Sequence, residues 1–91
     1  MDKAGWDALV GKVIVVDTDS SFVYLGTLKA VDDLFLVMVD VDAHDARESP
    51  STKDQYVMAS KQHGVKANRR EVSVRQDKVV SVSKLDDVVS Y

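Results

Sequence analysis

Ten residues, Phe22 to Val31, alternate in side-chain class along most of their length, with Phe22, Tyr24, Gly26, Leu28 and Ala30 on one face and Val23, Leu25, Thr27 and Lys29 on the other. That period of two reads as a long β-strand. Gly26 sits in its middle, where a missing side chain lets the strand bend sharply and a small sheet curl on itself. A flat sheet of this size could not cover its own apolar face, so the chain is constrained toward a small, curled β-structure.

The flanking segments extend the pattern. Lys12 to Asp17 is a β-branched run, and Asp17-Thr18-Asp19-Ser20-Ser21 has turn chemistry, which makes a first hairpin. Asp32-Asp33 forms the next turn, and Phe35 to Asp42 returns as a third strand, with Val37, Val39 and Val41 expected inward and Asp40 and Asp42 toward water. Strand character resumes at Val72 and Val74 (strand four, 71–75) and again at Val80 and Val82 (strand five, 79–83), before a closing turn or short helix at 84–88. Before the strands, Asp2 can cap a short helix through Trp6 and Leu9 that Gly11 ends. Between strands three and four, Thr52 and Gln55 have the spacing of a capping box for a helix through Tyr56 and Ser60, stopped at Gly64. The expected fold is mainly β: a five-stranded, strongly bent antiparallel open barrel with a short N-terminal helix and a helical insert between strands 3 and 4.

Length and composition bound the function. Ninety-one residues suffice for one domain with one modest core, spanning 1–91. The absence of cysteine excludes a disulfide scaffold or cysteine-held zinc and fits a reducing compartment, with the cytoplasm or nucleus as the default expectation. No apolar run approaches a membrane span, and the first six residues lack a secretion-signal core. The net charge of −3 is polarised. Residues 1–46 carry three Lys against nine Asp, and residues 47–91 nine basic against six acidic groups, so an anionic partner would be drawn to the second half.

Chemistry-bearing patterns are few. No Ser, His and carboxylate set has motif context and no glycine loop could cradle phosphate, so an enzyme is not expected and no cofactor is implied. His44 and His63, with Asp42 and Asp45 beside the first, lack the spacing of a recognised metal site. Lys66, Arg69 and Arg70 form a basic cluster whose simplest reading is a solvated turn.

Two stretches stand in a fixed order. Leu9-Val10-Gly11-Lys12, Ser21, Gly26-Thr27-Leu28, Asp32 and Phe35-Leu36 come first, and Val74-Arg75-Gln76 followed by Val79-Val80 comes second. In this arrangement the chain resembles the Sm/LSm family of small RNA-binding β-barrels. The first motif would occupy 9–42 and the second 72–84, with a helix at 2–9 and an unusually large insert at 43–71. The resemblance implies an SH3-like or Sm-like barrel, a ring-forming subunit, and single-stranded RNA as partner, within a ribonucleoprotein or RNA-processing complex. By the same resemblance the RNA-binding positions are Asp32 as loop brace, Phe35 as stacking platform, Leu36 in place of the family's Asn, Arg75 as cation and Gln76 in place of its Gly. Leucine can neither donate to nor accept from a base edge, whereas the Gln76 amide can do both.

Plainer roles stand beside these. Phe35 could be a strand end packed on Trp6 or Tyr56, and Arg75 could pair with Asp32 or Asp77 on the surface. Strands four and five would carry free edges without proline, open to self-association or to other Sm-like subunits. The alternative function is an Sm-like protein-interaction scaffold that has lost RNA binding and uses the insert around Tyr56 and Met58.

Overall fold

The computed structural model describes residues 2–89. Helix α1 (Lys3–Asp7) is capped by Asp2, whose carboxylate accepts from Gly5 N at 2.8 Å. It is shorter than the expected 2–9, and the chain descends through tight turns to Gly11, at φ 85°, before β1. The strands are β1 (Val13–Thr18), β2 (Phe22–Val31), β3 (Phe35–Asp45), β4 (Arg69–Arg75) and β5 (Val79–Lys84), with α2 (Lys53–His63) between β3 and β4. Pairing is antiparallel throughout, in the order β4-β3-β2-β1-β5. Five bent strands, an N-terminal helix and an inserted helix are therefore present as expected. β3 runs to Asp45 rather than Asp42 because its end pairs with β2 as far as Asp45 opposite Phe22, and β4 starts at Arg69 rather than Glu71 because it pairs with β3 as far as Val41 opposite Arg69.

The sheet bends at two bulges. Between β2 and β3 the register passes from Thr27 opposite Val39 to Leu25 opposite Asp42, which leaves one extra residue on β3. Asp40 absorbs it at φ 52°, the left-handed region that aspartate tolerates better than most side chains. A second shift, on the β2 side around Lys29, separates Leu28 opposite Met38 from Ala30 opposite Val37. The expected inward set of β3, Val37, Val39 and Val41, is corrected accordingly: Leu36, Met38 and Val41 are fully buried, whereas Val37 and Val39 are half-buried. An alternation carried straight through the strand cannot register a bulge, which reverses the facing of every residue beyond it.

Two cores result, one on each side of the sheet. Trp6, Ile14, Val16, Leu28, Leu36, Met38, Val41 and Val74 fill the curled interior. Val15, Val23 and Leu25 face outward and are covered by Tyr56 and Val57 of α2, by Val65, and by Leu85 and Val88 of the C-terminal segment. The capping box at Thr52 and Gln55 forms as expected, with Gln55 N donating to Thr52 Oγ1 at 3.1 Å and Thr52 N to Gln55 Oε1 at 2.9 Å.

The insert is fastened by polar contacts. Asp42, expected in water, is only 3% exposed. Its carboxylate accepts from the Tyr56 hydroxyl at 2.5 Å and from Asn68 Nδ2 at 3.3 Å. Burial, followed by the bond to Asp42, pushes the Tyr56 phenol up to about 12. His44 stacks on Tyr56 with ring centroids 3.5 Å apart. Lys53 Nζ donates to Asp17 Oδ1 at 2.6 Å and to the Ser20 carbonyl at 2.7 Å, and Lys61 Nζ donates to the carbonyls of Asp86 and Val88. Among the described residues no helix is long and apolar enough to cross a membrane.

Gly26 lies where β2 crosses closest to the β3 bulge. A Cβ there would stand 3.0 Å from the Val39 carbonyl oxygen and 3.1 Å from Val41 Cα, both backbone atoms that cannot rotate away. Gly26→Ala is therefore expected to lower unfolding stability by about 1–3 kcal/mol through overpacking, read as a reduced urea midpoint with an unchanged slope.

Candidate functional site

One rim of the barrel is made by two turns, Asp32–Leu34 between β2 and β3 and Gln76–Lys78 between β4 and β5. The β3–β4 ladder fixes their proximity, because Phe35 and Arg75 are direct cross-strand partners despite lying 40 positions apart in sequence.

The turns are tied together. Asp32 Oδ1 accepts from both Leu34 N and Phe35 N at 2.8 Å, which bends the chain tightly around the carboxylate. These two amides, Leu34 first, hold the Asp32 carboxyl below the usual carboxylate range. From the other turn, Gln76 N donates to the Leu34 carbonyl at 2.9 Å, and Gln76 Nε2 donates to the Asp32 carbonyl. Arg75 pairs with Asp77 rather than Asp32, in a two-point fork with Nε to Oδ1 at 3.1 Å and Nη2 to Oδ2 at 2.8 Å. Both side chains are mostly exposed, so the pair holds little energy and can exchange for another anion.

Four of the five sequence-expected site residues, Asp32, Phe35, Arg75 and Gln76, meet at this rim. The fifth is corrected: Leu36 is 0% exposed and packs in the interior core with Trp6 and Val74. Alternation along β3 turns it inward when its neighbour Phe35 stays half-buried at the rim. At the tip of the same turn stands Leu34, 63% exposed, which the sequence reading does not single out. Its signal was the Asp32 turn, which projects the second following residue outward.

Beside the rim, towards α1, lies a cleft of about 370 Å³ lined by Lys3, Trp6, Val31, Asp32, Asp33 and Gln76. The basic residues Lys66, Arg69 and Arg70 are elsewhere. Arg69 and Arg75 terminate opposite ends of β4, which at seven residues is roughly 20 Å long. His44 and His63 form no metal-holding group, and no cluster of three or more His, Cys, Asp or Glu able to hold a metal occurs among the described residues.

The arrangement can present a flat apolar platform, an exchangeable cation and an oriented amide to a planar ligand with a nearby negative charge. No family profile matches the chain, and no curated protein matches it in sequence. Among solved structures it is similar to the Sm protein of Pyrococcus abyssii, determined in complex with a uridine heptamer. The two are 17% identical, the match covers 92% of this chain and 97% of that one, and the TM-score is 0.60. The likeness establishes the architecture: this chain has the Sm fold.

The Asp32 brace titrates with a defined sign. Its pKa is depressed in the folded state, so its contribution to loop order is present above the unfolded value of about 3.9 and is lost as pH falls through the lower folded value. A pH titration followed by NMR should show the amides of Leu34 and Phe35 shifting together below that range, with the shift abolished in Asp32→Asn.

Proposed function

We propose that this chain is a divergent Sm-like protein, one domain over 1–91, that binds single-stranded RNA at the rim formed by Asp32, Phe35, Arg75 and Gln76. In this reading Phe35, with Leu34 beside it, supplies the apolar surface on which a base lies. Arg75 leaves Asp77 for a phosphate or stacks on the base from the other side. Asp32 holds the turn in shape. The observation that carries the proposal is the pairing of Phe35 with Arg75 across the β3–β4 ladder, which puts aromatic and cation at one rim of an Sm fold. A role in a ribonucleoprotein or RNA-processing complex, inside the cell, follows from RNA as the ligand.

Arg75→Ala is expected to weaken binding to single-stranded oligomers roughly tenfold and to reduce the salt slope of the binding constant by about one. Filter binding at two salt concentrations measures both. Binding that ignores Arg75, or the absence of any salt-dependent binding, would count against the rim.

Assembly is the second half of the proposal. Among the described residues, the sheet order leaves the outer edges of β4 and β5 without a strand partner, and neither strand contains proline. Two edges on one subunit support head-to-tail addition that closes into a ring. Val80, 65% exposed on β5 where the β1–β5 register shifts, would be covered in such a contact. Light scattering should therefore give a mass several times that of one chain, falling toward the monomer in Val80→Lys, while a monomer at high concentration would refute edge pairing.

A protein-interaction scaffold without RNA binding is the second reading. It is favoured by one observation: Leu36, at the family's amide position, is buried and gives the rim no polar group. A fold that assembles normally yet binds no oligomer would establish it.

A further inference from the structure

We infer that the cleft between α1 and the rim selects bases bearing an exocyclic amino group, adenine, cytosine or guanine, over uracil, with Gln76 Oε1 and the Asp33 carboxylate accepting from the base edge. This rests on the reading of the rim as an RNA site and specifies which bases it takes.

The orientation of the Gln76 amide is the first support. The Asp32 carbonyl can only accept, so the Gln76 nitrogen must face it, and the amide has its Nε2 donor engaged there. Its Oε1 meets no donor among the described residues. The amide that replaces the family's glycine therefore offers a ligand chiefly an acceptor, where a free amide would offer both signs.

The remaining polar lining points the same way. Asp32 uses Oδ1 for two backbone amides, and its Oδ2 meets no donor among the described residues. Asp33 lines the cleft, is exposed, and has no ion-pair partner among the described residues. Lys3 is the sole cation in the lining and is likewise without an ion-pair partner among the described residues, which fits it to a phosphate rather than to a base edge. A wall of acceptors repels the two carbonyl groups that flank the single ring N–H of uracil. It matches the paired hydrogens of an amino group, and a carboxylate can take two donors at once from the guanine edge.

Trp6 is the independent mark of a ligand site. It lines the same cleft, is 6% exposed, and its indole Nε1–H is buried with no acceptor. Buried donors are almost always satisfied, and a small shift of the indole as a ligand enters would let a carbonyl or phosphate oxygen complete it. At about 370 Å³ the cleft is within the range of small-molecule sites and admits a nucleotide.

Trp6 is also the chain's single tryptophan, so its emission reports on this cleft together with the interior core and the groove along β5 that the same indole lines. The test titrates the full chain with oligo-A, oligo-C and oligo-U of equal length at one salt concentration, in the native sequence, Asp33→Asn and Arg75→Ala. Oligo-A and oligo-C should change Trp6 emission and bind roughly tenfold more tightly than oligo-U. Asp33→Asn, an exposed substitution, should shrink that preference to about twofold or less, whereas Arg75→Ala should weaken all three oligomers together and preserve it. Arg75-dependent binding with uridine equal or preferred, or a preference untouched by Asp33→Asn, overturns the cleft assignment and leaves the rim standing. No binding of any oligomer overturns the rim reading and this one with it.

Discussion

One extra residue of backbone, Asp40 at φ 52° in β3, governs how the rest of the structure is assembled. Before the bulge, Leu36 and Met38 face the barrel interior; beyond it, Val41 takes the interior place and Asp42 turns to the outer face. A strand without the bulge would direct one parity of its residues to one side throughout. With it, a single eleven-residue strand serves both cores and delivers a carboxylate beneath α2. Gly26, opposite the bulge and almost touching Val39 and Val41, is the counterpart that permits so tight a crossing.

What was legible in the sequence was what local chemistry decides. The capping box at Thr52 and Gln55, the Asp32 turn and the β2 alternation each use neighbours within a few positions; the first two form as written, and the alternation holds as far as Leu28, where the bulge at Lys29 exposes Ala30 and turns Val31 onto the interior core. The meeting of Phe35 with Arg75 was legible only through motif order, since no local signal joins residues 40 positions apart. The inward face of β3 was misjudged because composition does not mark a bulge: Val37-Met38-Val39-Asp40-Val41 alternates well enough to be read straight through. Asp42 does face outward as the alternation reads, but α2 covers that face, and nothing near it in sequence announces Tyr56 or Asn68 as its partners. Leu36 was placed at the site by motif position alone, and strand alternation overrides that placement.

The rim combines one rigid part with one exchangeable part. Asp32 is committed to two backbone amides and Gln76 crosses to the opposite turn, so the turn shapes are set before any ligand arrives, which lowers the ordering cost of binding. Arg75, by contrast, is held only by Asp77 in an exposed fork that contributes little to stability. In the proposed reading a phosphate takes the place of Asp77, and the same fork geometry serves the incoming anion. In the proposed reading, the structural task and the recognition task fall to different side chains of one rim.

The insert has a consequence for assembly that follows from where its bonds go. Tyr56 reaches β3, Lys53 reaches β1 and the turn after it, and Lys61 reaches the C-terminal segment; among the described residues, α2 makes no hydrogen bond to β4 or β5. The helix is thus fastened to the sheet's outer face through its central strands and tail. Detaching it would remove the phenol donor of Asp42 and expose Val15, Val23 and Leu25 to water, and this apolar burial keeps the layer in place. Because the added core draws on that face, α2 adds no strand pairing at the outer edges of β4 and β5, although among the described residues it shares a groove with Ser81 and Ser83 of β5.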